Sequence, residues 1–86
     1  MSHKPGIGID IHAAFYQLAV VGPDGVVAEE RISTGVEGVK KIVDRIRSMS
    51  PAPVVAMEAC TGTYHLYHSL QNTGATILVV DPRKMR

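Results

Sequence analysis

The chain has 86 residues, with nine Lys+Arg against eight Asp+Glu and a formal net charge of +1, which excludes a strongly basic nucleic-acid arm and an acidic tail. With 45% hydrophobic and 20% charged residues, the composition is that of one ordered domain and excludes a disordered chain. A domain this small buries only roughly 60–65% of the surface its unfolded chain exposes, so help from a partner subunit is expected.

From Ile7 the sequence alternates, with Ile7, Ile9 and Ile11 on one face of a strand and Gly8, Asp10 and His12 on the other. Phe15 to Val21 is a second β-branched and aromatic run, closed by the turn residues Gly22-Pro23-Asp24-Gly25. Val26 to Ser33 returns as the other arm of a hairpin, and its charges Glu29, Glu30 and Arg31 suit a sheet edge. Thr34-Gly35-Val36-Glu37 has the spacing of a capping box, predicting a helix start. Val36, Val39, Ile42, Val43, Ile46 and Met49 then recur at helical spacing, with Lys40, Lys41, Arg45 and Arg47 on the solvated side.

Ser50-Pro51-Ala52-Pro53 stops this helix, and Val54 to Glu58 is a short buried-strand run that ends in a carboxylate. Thr61-Gly62 opens a second helix, packed through Tyr64, Leu66, Tyr67 and Leu70 and stopped at Gly74 in a left-handed cap. Ala75 to Val80 is a last strand, and Asp81-Pro82 has the form of a further helix N-terminus, four residues before Arg86. The order β-β-β-α-β-α-β predicts an α/β fold with a five-stranded mixed sheet. Right-handed crossovers place both helices on one face and leave the other bare. The whole chain, residues 1–86, is expected to be one N-terminal portion of a domain, cut before its third helix.

The lone Cys60 excludes an intrachain disulfide and a thiolate-rich zinc site, and is read as a small buried residue. Apolar runs of four residues, such as Ile77 to Val80, are far short of the roughly 20 needed to span a bilayer, and Met1 to Pro5 lacks a signal-peptide core. A cytoplasmic setting is expected. His65 and His68 are expected on the surface, without zinc.

Two acids, Asp10 and Glu58, stand in apolar strand contexts, where a charge is costly unless paired or bound to a cation. If the first and fourth strands are parallel neighbours, both acids converge near the strand ends, where ligands of open α/β sheets collect. Oxygen ligands suit Mg²⁺ or Mn²⁺, and two such ions about 3.5–4 Å apart can activate water and steady the leaving oxygen in phosphodiester cleavage. The alternative is that Asp10 caps a turn and Glu58 caps the second helix. His12 is read as a hydrogen-bonded neighbour of Asp10 rather than as a ligand.

Gly8-Ile9-Asp10-Ile11-His12, Pro23-Asp24-Gly25, Met57-Glu58-Ala59, Thr61-Gly62-Thr63-Tyr64-His65 and Val79-Val80-Asp81-Pro82-Arg83 follow one another in an order and spacing that resembles the N-terminal part of the DEDD-motif insertion-sequence transposases, relatives of the pilin-gene invertase. The resemblance implies a RuvC-like, ribonuclease-H-type fold whose four acids bind divalent metal for DNA strand cleavage and transfer, with a structured guide RNA as a further partner. Carried across, the first acid is Asp10 and the second Glu58; the third and fourth lie beyond Arg86 in a full-length member. One residue more than in the commonest family form separates Glu58 from Thr61-Gly62.

Thr61, Gly62, Arg83, Lys84 and Arg86 are candidates for contact with a nucleic-acid backbone. The expected function is therefore a transposase fragment that is inactive alone. One alternative is a non-catalytic dimerisation or nucleic-acid-binding module, suggested by the bare sheet face on which Ile7, Ile9, Ile11 and Val54 or their alternates lie; a homodimer is expected on that ground. The other is the first lobe of an actin-like or sugar-kinase ATPase, although Ile11-His12-Ala13-Ala14 replaces the usual Gly-rich phosphate turn.

Overall fold

The computed structural model describes residues 4–81. Strands β1 (Gly6–Ile11), β2 (Phe15–Gly22) and β3 (Gly25–Ser33) are followed by helix α1 (Val36–Arg47), strand β4 (Val54–Glu58), helix α2 (Thr63–Leu70), a 3-10 turn at Gln71–Thr73 and strand β5 (Thr76–Val80). The sheet order is β3-β2-β1-β4-β5. The first three strands form an antiparallel meander, whereas β1, β4 and β5 run parallel. The hairpin closes as expected: Gly22 pairs with Gly25, and Gly25 takes a φ of 122°.

Alternation decides which face is buried. Ile7 and Ile9 of β1, Tyr16 and Leu18 of β2, Ile32 of β3, and Val55 and Met57 of β4 all point into one core. Val39, Ile42 and Ile46 of α1 and Leu66 and Leu70 of α2 enter the same core, so both helices cover one face. The expected split follows in part: Ile7 and Ile9 are covered and Ile11 packs against the cluster, while the uncovered face carries alternates such as Gly8 and Asp10. On the edge, Leu78 and Val79 of β5 stay 50% and 44% exposed.

Four local expectations are corrected. Thr34 does not cap α1: Gly35 occupies the N-cap, no side chain caps it, and the Thr34 hydroxyl donates instead to the Ala13 carbonyl, 3.2 Å away. That tertiary bond ties the start of the helix to the β1–β2 turn and aims the hydroxyl at Ala13, and with Gly35 in the N-cap position Thr34 stands one residue outside the place a capping box needs. Val36 and Tyr64 both lie in the first turn of their helices and are exposed, while Gly38 and Val39 in the one turn and Thr63 in the other face the core. Cys60 is also exposed, in the turn between β4 and α2.

Gly38 was not singled out by its sequence context, yet it is buried in α1 and decides how close the helix comes to β3. A Cβ built there would sit 1.7 Å from the Ser33 carbonyl oxygen. No helix among the described residues is long and apolar enough to cross a membrane.

Candidate functional site

Asp10 is the penultimate residue of β1, and Glu58 is the last residue of β4. In the parallel pairing Gly8 lies opposite Ala56 and Ile9 opposite Met57. The next step in that register sets Asp10 beside Glu58, and alternation puts both on the uncovered face with Gly8 and Ala56. The two acids thus stand at the carboxyl ends of neighbouring parallel strands. Across the meander Asp10 pairs with Gln17 and Gln17 with Arg31, while Glu58 pairs with Val80. A single cross-strand row therefore reads Arg31, Gln17, Asp10, Glu58, Val80.

An open groove of about 520 Å³ runs over this row, lined by Gly8, Asp10, Gln17, Ala19, Ala56, Glu58 and Val80 among others. Gly8, Ala19 and Ala56 contribute little or no side chain, so the carboxylates rise beside a low floor. Both acids are exposed, the Asp10 side chain by 66%. The premise that a buried charge must find a partner is thereby corrected, since folding leaves both carboxylates in water and demands no counter-ion. What remains is their convergence. Two carboxylates on adjacent strands are a hard, all-oxygen donor set of the kind that suits Mg²⁺ or Mn²⁺ better than softer metals. Among the described residues no group of three or more His, Cys, Asp or Glu gathers to hold an ion, so the pair is at most part of a ligand set.

Asp10 has one clear neighbour. His12 Nε2 lies 3.0 Å from Asp10 Oδ2. The His12 ring stacks on Phe15 with centroids 4.4 Å apart and planes 23° from parallel, and the Arg31 guanidinium carbon sits 4.0 Å from the Phe15 centroid. Arg31 Nε also donates to Gln17 Oε1 at 3.3 Å. Phe15, Gln17 and Arg31 escaped the sequence reading; once the hairpin register is fixed, Gln17 and Arg31 fall in line with Asp10, and that register was the available signal.

Glu58 is positioned by the turn that follows it. The buried Thr63 hydroxyl donates to the Glu58 carbonyl at 2.7 Å and accepts from the Cys60 N–H at 2.8 Å. The Thr63 N–H reaches the Cys60 carbonyl at 3.1 Å. Thr61 and Gly62 are not brought into the acid groove. They line a neighbouring concavity of about 580 Å³ together with Ile11, His12, Thr34 and His65, and Gly62 packs so close to Ile11 that a Cβ would lie 3.1 Å from its Cγ2. His65 and His68 are exposed on α2. Arg83, Lys84 and Arg86 lie outside the described residues.

Two structures of RuvC share this fold. Thermus thermophilus RuvC superposes with a TM-score of 0.63 at 18% identity, over 91% of this chain and 62% of that one. The T. thermophilus RuvC solved in complex with a Holliday junction substrate gives 0.63 at 17%, over 95% and 67%. Archaeoglobus fulgidus Pelota gives 0.57 at 17%, over 93% of this chain and 27% of its own. The chain thus spans about three-fifths of the first RuvC structure, and the sheet with its two helices is RuvC-like, of the ribonuclease-H type. No curated protein matches the chain in sequence. Residues 7–86, however, match the family described as Transposase, the DEDD type of IS110, and with nearly its whole length inside that match the chain belongs to this transposase family.

Proposed function

We propose that this chain supplies the first two acids, Asp10 and Glu58, of the metal site of a DNA transposase, and that further acids from later in a full-length member complete it. The observation that carries the reading is that both carboxylates line one groove on the uncovered face, at the carboxyl ends of the paired strands β1 and β4. A divalent cation held there would polarise a phosphodiester and generate a hydroxide nucleophile. Asp10 and Glu58 would hold it, the low floor of Gly8 and Ala56 gives a DNA strand room to approach, and the Thr63 turn fixes the backbone that carries Glu58. With half of the ligand set, the 86-residue chain binds Mg²⁺ or Mn²⁺ weakly and does not cleave DNA.

Mn²⁺ titration of the isotope-labelled chain tests this. Paramagnetic broadening should centre on the amides of residues 8–10 and 56–58 and disappear in Asp10→Asn and in Glu58→Gln. Broadening spread over the surface acids, unaffected by those changes, would remove the site. Cleavage of DNA by the purified chain, lost on Asp10→Ala, would show that the site is complete as it stands.

A homodimer belongs to the same proposal. Its support is the apolar edge formed by Leu78 and Val79 on β5, which, unlike β3 with Glu29, Glu30 and Arg31, carries no charge against self-pairing. A chain that sediments as a monomer at high concentration would set it aside.

A further inference from the structure

We infer that His12 is a positioning residue for Asp10, itself held by a stacked shelf of Phe15 and Arg31. The inference rests on the reading of Asp10 as a metal-binding carboxylate.

The local chain builds the shelf. The His12 N–H donates to the Phe15 carbonyl at 2.9 Å, closing the turn between β1 and β2 and bringing the two rings, three residues apart, into parallel contact at 4.4 Å. The β2–β3 register pairs Phe15 with Ser33 and Gln17 with Arg31, so Arg31 lies diagonal to Phe15. That offset suits a long side chain, and its guanidinium carbon rests 4.0 Å from the ring centroid while Nε is held by Gln17. Arg31, Phe15 and His12 thus form one stack, running from the edge strand to the end of β1.

The stack ends on Asp10. A carboxylate only accepts, so His12 Nε2 must carry the hydrogen in the 3.0 Å bond to Oδ2. Among the described residues this is the only side-chain bond Asp10 makes. With a side chain 66% exposed, Asp10 would otherwise turn freely among its rotamers. The bond selects one rotamer and occupies Oδ2, leaving Oδ1 for a ligand. Hydrogen bonds of this kind behind a ligating carboxylate typically govern metal affinity by about 10- to 100-fold. As a source of fold stability the pair counts for little, because the His12 and Asp10 side chains are 44% and 66% exposed and water screens them.

The test needs no catalysis. Three-bond couplings to Asp10 Cγ, measured on the metal-free labelled chain at one fixed pH, report its χ1 distribution. The native chain should show one dominant rotamer, with averaging in His12→Ala and in Phe15→Leu and recovery in His12→Gln, which keeps an N–H donor. Mn²⁺ affinity, read from amide broadening, should fall about ten-fold or more in His12→Ala and Phe15→Leu, while both retain native amide spectra away from the β1–β2 turn. An unchanged Asp10 coupling in His12→Ala overturns the inference, as does a Mn²⁺ affinity within about two-fold of native. A native chain that binds no Mn²⁺ at Asp10 defeats the metal reading instead, and the metal-free couplings then still decide whether His12 holds Asp10.

Discussion

Replacing Gly38 with Ala sets two effects of opposite sign against each other. Ala is the better helix former by about 1 kcal/mol, so propensity alone makes Gly38→Ala stabilising. The packing says the reverse. The added Cβ would lie 1.7 Å from the Ser33 carbonyl oxygen and 2.9 Å from its carbon, and 3.2 Å from Ile32 Cγ2. The closest obstacle is backbone at the end of β3, which cannot rotate aside, so α1 must retreat by more than roughly 1 Å. Its neighbours Val39 and Ile42 are buried, Ile42 completely, and a rigid retreat opens gaps beneath both. Overpacking of this kind costs about 1–3 kcal/mol and occasionally more, which exceeds the propensity gain. Set against the gain of about 1 kcal/mol, a mid-range cost of about 2 kcal/mol leaves a net loss of about 1 kcal/mol, which lowers the thermal midpoint of a domain this size by roughly 4–8 °C. Urea unfolding followed by circular dichroism, with a thermal melt, measures it. A variant as stable as the native chain, or more so, would show that α1 and β3 do not meet as described.

The other predictions are smaller. Thr63→Val removes the hydroxyl that bridges the Glu58 carbonyl and the Cys60 N–H at a residue 3% exposed; a loss of about 1–3 kcal/mol is expected in urea unfolding, with most of it recovered by Thr63→Ser, and an unchanged midpoint would mean that water replaces the bridge. Glu58→Gln alters an exposed side chain and should leave stability within about 0.5 kcal/mol while abolishing Mn²⁺ broadening, whereas a large stability change would give Glu58 a structural role. Burial raises the Tyr16 phenol above its ordinary 10.0. A group whose folded pKa is raised contributes stability that is complete below its unfolded value and is lost as pH rises through the folded one. The native chain should therefore lose stability above about pH 10 more steeply than Tyr16→Phe, and parallel alkaline curves for the two would refute the assignment.

How much of this was legible depends on the range over which each feature is encoded. The first strand, the hairpin and the charged edge strand rest on period-two alternation and turn chemistry, both local, and they are legible in Ile7–Ile11, Gly22–Gly25 and Glu29–Arg31. Whether β1 and β4 are parallel neighbours stayed a condition in the sequence, and only the pairing of Gly6–Ile9 with Val54–Met57 decides it. Thr34 misled because its hydroxyl had a competing acceptor, Ala13, more than a strand pair away in sequence. Gly38 was silent because its reason for being glycine lies in where Ser33 ends up. The Arg31–Phe15–His12 stack was equally hidden: its members belong to β3, β2 and a turn, and they meet only once the register has been set.

The uncovered face bears on function through what it does not contain. A strand interior normally gains from a β-branched or aromatic side chain, and Gly in that place costs stability. Gly8 stands between Ile7 and Ile9 in a central strand, and a Cβ built on it would meet no heavy atom within 4 Å. Its φ is not positive, so neither crowding nor backbone conformation requires glycine there. The neighbouring positions on that face are Ala19 and Ala56, small as well. Larger apolar side chains on these three strands would have filled the groove over Asp10 and Glu58 and needed a covering layer of their own. The helix-side core, from Ile7 and Ile9 to Leu66 and Leu70, is packed without any contribution from the acid row. Stability and the proposed chemistry are therefore carried on opposite faces of one sheet. The central strands can tolerate two exposed carboxylates because the residues that hold the fold together point the other way.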